Sequence, residues 1–323
     1  MSGVTSLAWI LLFASVLSVS ATAQTPYTHS QPAMGTPWHL TLYTTDSLTA
    51  IRAVDSVFAR IEVIEQCMSD YRPGSEIDRV VQLPARRFHP ISEDLYRVLT
   101  TSIGLARHSD GTFDPTIGPL TKLWRRAIRQ QKFPSASDIS RARSQVQWKS
   151  VRLSRSRGIR LARDSMQFDL GGIAKGYALD AAAEVLRYHG ITRFLIDGGG
   201  DLLLGEAPPG RPDWKITTPA GPVDTADVAI ASSGTAYRYL IHEGQHYGHI
   251  VDPRTGLGTT RTHAVTVIHA QATLADGIAS TLSLMPENRW RTFLRQYPST
   301  RVLKSKTEAR TDVPATEADT VAH

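Results

Sequence analysis

The chain has 323 residues, 41% hydrophobic and 20% charged, with 36 Lys and Arg against 30 Asp and Glu for a formal charge of +6. That length supports a sizeable core in one large domain or two packed lobes, while a single cysteine, Cys67, rules out an internal disulfide framework. The basic excess lies mainly between Lys122 and Arg163. Segments such as LWRRAIRQQK alternate with apolar residues and lack interleaved aromatics, so they read as a solvated basic face, compatible with an anionic small molecule, and not as a nucleic-acid surface.

In chain order, an apolar stretch from Leu7 to about Val19 precedes Ala21-x-Ala23 and Gln24. This predicts a signal peptide over 1–23 and an exported, periplasmic protein; an uncleaved N-terminal anchor, and hence membrane association, is the alternative. No second apolar stretch is long enough to span a bilayer, so the mature chain is expected to have no transmembrane segment. PWHLTLY (37–43) alternates as a strand, and Leu48, Ile51, Val54, Phe58, Ile61 and Ile64 mark a helix over 47–67, with Cys67 packed in a core. A second helix carries Leu95, Leu99 and Ala106 and ends at Asp110-Gly111. DGTFDPTIGPLTKLW (110–124) is dense in Gly, Pro and Asp and reads as a loop. Paired strands then lead into FDLGGIAKGY, read as a buried strand, a glycine break and a helix carrying Ile173, Tyr177, Ala181 and Val185.

RFLI runs as a strand into Asp197-Gly-Gly-Gly-Asp201. Strands at WKITT, DVAIA and THAVTVIHA, a hairpin turning near Glu243-Gly244, helices near 272–285 and 287–297, and a last strand TRVLK complete a domain over 24–303. A polar tail, 304–323, is expected to be disordered. Strands and helices do not alternate strictly, which predicts an α+β fold, one large two-lobed domain.

Several residues invite chemistry. Lys175 in a helix's first turn opposes the helix dipole and favours an anionic partner, unless it is simply exposed. His242, His246 and His249 are close in sequence, but Gly244 and Gly248 argue against a helical metal pair; His249 stands where a strand meets a turn, a place for either a structural or a functional histidine. Asp276 and Ser280 share a helix face. They could bind a hard cation such as Mg²⁺, or Asp276 could cap its helix.

Eight ordered pieces, Met34-Gly35-Thr36, MSDYRPGSEIDR, GTFDPTIGPL, DLGGIAKGYALD, DGGGDLLLG, SSG at 232–234, HIVDPRTG and LADGIAS, together resemble the FAD:protein FMN transferases, the ApbE-type flavin transferases. The resemblance covers residues 32–290. It implies an ApbE-like fold and Mg²⁺-dependent transfer of FMN from FAD to a Ser or Thr hydroxyl of an acceptor flavoprotein or exported redox-complex domain, with release of AMP. By the same resemblance, Gly172 (through its carbonyl), Asp276 and Ser280 map to metal ligands. Met34, Tyr71, Thr112, Phe113, Asp114, Asp169, Lys175 and Ile250 map to FAD contacts, and His249 to the acid-base group.

The chain departs from the family pattern at Val81, where an Asn is usual, at Thr235-Ala236-Tyr237, and in lacking a lipobox cysteine. Val81 bears on the balance between transfer and FAD hydrolysis. An FAD pyrophosphatase and a non-catalytic flavin-binding protein are therefore the alternative expectations.

Overall fold

The computed structural model describes residues 25–164, 166–234, 239–261 and 263–305. The expected signal segment, Thr235-Ala236-Tyr237 and the tail from residue 306 lie outside them. The elements are β1 (Thr25–Ala33), β2 (Thr36–Thr44), α1 (Ser47–Met68), α2 (Glu76–Val80), β3 (His89–Pro90), α3 (Glu93–His108), α4 (Gly118–Gln130) and α5 (Ala136–Arg143). They continue with β4 (Val151–Ser154), β5 (Gly158–Leu161), α6 (Ala174–Tyr188), β6 (Phe194–Gly198), β7 (Leu202–Leu204), β8 (Trp214–Thr218), β9 (Gly221–Thr225) and β10 (Ala229–Ser233). The last are β11 (Tyr239–His242), β12 (Gln245–Gly248), β13 (Val265–His269), α7 (Ala272–Leu284), α8 (Glu287–Leu294) and β14 (Arg301–Lys304).

A seven-stranded sheet in the order β1-β2-β6-β7-β10-β13-β14 is antiparallel throughout. Helices α1, α3, α6 and α7 form the main core with one face, and the β8–β9 hairpin packs Trp214, Ile216 and Val223 on the other. Coverage on both faces explains why VTVIH of β13 is an apolar run without alternation: Val265 and Val267 enter the helical core while Ile268 enters the opposite one. The mixed α+β architecture is as expected. The final strand reaches Lys304, and Ser305 is buried with its N–H donating to the Ala264 carbonyl at 3.0 Å.

Some elements differ from the sequence reading. Leu48 and Ile51 are exposed, because the buried stripe of α1 begins with Ala50, Ala53 and Val54 and leaves those two positions outside it. Phe168 and Leu170 are buried, but FDL is unpaired in any sheet; the Asp169 N–H instead donates to the Pro115 carbonyl at 3.0 Å. The stretch read as a loop at 110–124 turns helical at Gly118, since Pro119 in a first turn is compatible with a helix start. Gly118 has a packing reason: a Cβ there would sit 2.8 Å from the Phe168 carbonyl oxygen. α4 then buries Leu120, Leu123, Trp124 and Ala127 against α5 and the β11–β12 hairpin, forming a second, smaller core.

Asp94 of α3 ties three helices together. It receives Arg60 Nη1 of α1 at 2.7 Å and the Tyr177 hydroxyl of α6 at 2.7 Å. The Arg60 hydrogen bond, aided by Tyr177, outweighs burial and lowers the Asp94 pKa. The cluster's contribution is therefore present above the ordinary carboxylate pKa and lost as pH falls through the lowered native value. Asp94→Asn should cost about 1–2 kcal/mol near neutral pH, after discounting for solvent screening. Denaturant unfolding at several pH values checks this: the gap from wild type should close in acid.

Candidate active site

A cavity of about 1000 Å³ opens between the helix-backed sheet and the small lobe. All twelve residues singled out above, Met34 through Ser280, line it. Its volume lies at the upper end of ligand pockets, room enough for a dinucleotide. The walls come from the β1–β2 turn, the C-terminal end of α1, the loop before α4, the start of α6, one face of α7 and the segment after β12.

The polar end is built by two helices pressed together. Gly176 in the first turn of α6 is bare because a Cβ would lie 2.2 Å from the Ala272 carbonyl oxygen. The start of α7 is capped from α6: Asp180 accepts from the N–H groups of Ala272 and Thr273 at 2.8 and 2.9 Å. Asp276 is therefore not a cap. It is buried one turn further on, accepting from the Gly176 N–H at 3.1 Å. Ser280 follows on the same face, its Oγ 2.9 Å from where a Cβ on Gly172 would be. The two glycines of the junction thus let α6, its entry turn and α7 converge. Gly176→Ala should force the two helices apart and cost about 1–3 kcal/mol, read as a lowered Tm.

Lys175 is not a surface lysine. Its ammonium pairs with Asp201 and lies in the field of Asp276. Burial would lower its pKa, but Asp276 and Asp201 more than reverse that. The Asp276 carboxyl is pushed up to about 7, by burial first and also by Asp201, with Lys175 opposing. Asp276, Ser280 and the Gly172 carbonyl offer only oxygen donors, and among the described residues the one hydrogen bond to Asp276 leaves its carboxylate with acceptor capacity. That chemistry fits a hard divalent cation that leaves most of its shell to water and phosphate oxygens. Among the described residues, no group of three His, Cys, Asp or Glu forms a conventional metal cluster.

The opposite wall is held by Arg125. Its Nη1 donates to Asp70 at 2.6 Å and its Nη2 to Asp169 at 2.5 Å, while the guanidinium carbon stands 4.2 Å from the Tyr71 ring centroid. Asp169 also accepts from the Gly171 N–H at 2.8 Å, closing the turn before α6. Tyr71, 70% exposed, is thereby placed at the mouth as an aromatic face. Asp114 is buried and fully engaged, receiving Thr116 N–H at 2.8 Å, Thr116 Oγ1 at 2.7 Å and Trp148 N–H at 3.1 Å. It shapes its loop, which sets Phe113 and Thr112 in the wall. Met34 turns at φ 50° with its N–H donating to Glu65 at 3.0 Å.

His249 is exposed at the rim, immediately after β12 and beside Ile250. The other two histidines point to separate jobs: His242 stacks on Phe133 with centroids 4.1 Å apart, and His246 lies against Tyr239 at 4.8 Å. Val81 is the C-cap of α2 and packs against the main core, outside the cavity lining. Cys67 is buried, with burial pushing its thiol up to about 12. Arg125, Asp70 and Asp201 were not identified as site residues from sequence. Arg125 lay inside a basic run, and only the fold brings its two carboxylates to it.

A dinucleotide-sized cleft with a lysine, a carboxylate-hydroxyl corner and a rim histidine defines a site for handling phosphate-bearing nucleotides. The chain belongs to the ApbE family, which it matches over residues 34–303. It is 28% identical over 298 residues to a Vibrio cholerae protein named FAD:protein FMN transferase, covering 87% of this chain and 88% of that one. A Chlamydia pneumoniae protein of the same name is 31% identical, covering 71% and 74%. Among solved structures, a mutant of the flavin transferase ApbE from Vibrio cholerae superposes with TM-score 0.79 at 26% identity, covering 88% of this chain and 95% of that chain. The apo flavinyl transferase ApbE from Pseudomonas stutzeri gives 0.76 at 26% identity, covering 87% and 90%.

Proposed function

We propose that this protein is a Mg²⁺-dependent FAD:protein FMN transferase that moves FMN from FAD to a Ser or Thr hydroxyl of an acceptor protein and releases AMP. The observation that carries the reading is the meeting of Asp276, Ser280, Gly172, Lys175 and His249 around one cavity of about 1000 Å³, in a chain of the ApbE family. The relatives named above are called FAD:protein FMN transferases, which supports the transfer of FMN from FAD to a protein.

In this reading the acceptor oxygen bonds to the phosphorus next to the riboflavin, and the bond from that phosphorus to the bridging oxygen breaks, that oxygen leaving with AMP. A cation held by Asp276, Ser280 and the Gly172 carbonyl would supply charge neutralisation on the pyrophosphate. The chain's own residues do the rest. Lys175, kept protonated by Asp201 and Asp276, adds a fixed positive charge at the buried end. Tyr71 offers a stacking face for an aromatic ring of FAD, pinned by Arg125. His249, at the solvent-facing rim, takes the proton of the entering hydroxyl. The apolar stretch from Leu7 to about Val19, followed by Ala21-x-Ala23, supports export, with a periplasmic flavoprotein or redox-complex domain as acceptor.

Incubation with FAD, Mg²⁺ and a candidate acceptor tests this. A fluorescent flavin band that survives denaturation on the acceptor is expected. Free FMN with an unlabelled acceptor would instead identify an FAD pyrophosphatase, and intact FAD a binding protein.

A further inference from the structure

Positive charge is concentrated in one stretch of the chain. Lys122 to Arg163 contains thirteen Lys and Arg and one acid, Asp138. On α4, Lys122, Arg126 and Arg129 recur at i, i+4 and i+7, all exposed, forming a stripe about 10 Å long. Among the described residues none of the three has a hydrogen bond or an ion-pair contact. Like charges at that spacing weaken a helix slightly, and the field of Asp70 on Lys122 offsets this only in part.

The stripe has direction. Lys122 and Arg126, with Arg141 of α5, border a second cavity of about 270 Å³ between the two helices; its single acid, Asp138, is 3.5 Å from Arg141. Arg129, at the far end, lines the main cavity. The buried face of α4 packs on the β11–β12 hairpin, where Trp124 and Tyr247 have ring centroids 5.8 Å apart, and that hairpin leads directly into His249. The unpaired cations and the rim histidine therefore belong to the same lobe.

We propose that this stripe docks an acidic segment of the acceptor polypeptide next to the hydroxyl that is modified, delivering it to His249. The proposal rests on the transfer reading above. FAD itself is a poorer occupant, because Lys122 and Arg126 border the outer groove and do not line the main cavity. A concave groove between two helices also suits an extended peptide better than a flat bilayer surface.

The test uses Lys122→Glu/Arg126→Glu, two exposed positions whose replacement should leave thermal unfolding unchanged. The probe is a labelled peptide with Asp and Glu beside a Thr, its binding followed by anisotropy. Wild type should bind it with affinity that falls with salt, and the double variant about tenfold or more weakly. FAD binding, read by flavin quenching, should be equal in both. Because peptide binding needs no turnover, a protein inactive as a transferase would still report on docking. Equal peptide affinity in both proteins would overturn the proposal. So would a loss of FAD binding in the double variant with peptide binding retained, or charge-dependent binding only to phosphatidylglycerol vesicles.

Discussion

Asp276→Asn is expected to reduce FMN transfer by about 10²- to 10³-fold, the range for losing one preorganised electrostatic group. Asn can still accept from the Gly176 N–H, so the α6–α7 contact is kept while the negative charge is removed. The residual rate should demand much higher Mg²⁺. A linked effect follows from the raised pKa of about 7. In the metal-free native protein Asp276 retains a proton between the ordinary carboxylate value and neutrality that the unfolded chain has released. Its contribution to stability therefore declines as pH rises through that window. Mg²⁺ should accordingly raise the Tm more above about pH 7.5 than near pH 5, and this pH-dependent gain should vanish in Asp276→Asn. Transfer by Asp276→Asn at the wild-type rate and Mg²⁺ requirement would remove Asp276 from the metal site.

His249→Ala should behave differently. Loss of a proton acceptor at the rim predicts a drop of about 10²- to 10⁴-fold in transfer, with the Mg²⁺ requirement preserved. FAD should still quench on binding, since Tyr71, Lys175 and the wall around Phe113 lie elsewhere in the cavity. The two variants are thus separable by metal titration. A His249→Ala protein that transfers normally would return His249 to a structural role at the end of β12.

The sequence was most informative where local pattern and chemistry coincide. The long amphipathic α1, the Glu243-Gly244 hairpin turn with both residues at positive φ, and the α6 and α7 helices follow from period and turn residues alone. Asp276 and Ser280 could be placed on one face because i,i+4 is a local relation. What stayed hidden was long range. β1, TPYTHSQPA, lacks apolar alternation and carries two prolines, which an edge strand tolerates. α4 was masked by its Gly-Pro start. Neither the Asp180 cap on α7 nor the Asp70-Arg125-Asp169 bridge has a sequence signal, since the partners are 92, 55 and 44 residues apart. Packing rules out Asp276 as a helix cap: Asp180 caps α7, and Asp276 falls a turn inside it.

In the proposed reaction, FMN passes from FAD to a protein hydroxyl and AMP is released. The most direct measurement is the stoichiometry of AMP released to FMN attached, followed by chromatography and intact acceptor mass in one reaction. The account predicts one AMP for each FMN on the acceptor, with both products abolished by EDTA. AMP accumulating with free FMN and an acceptor of unchanged mass would contradict it.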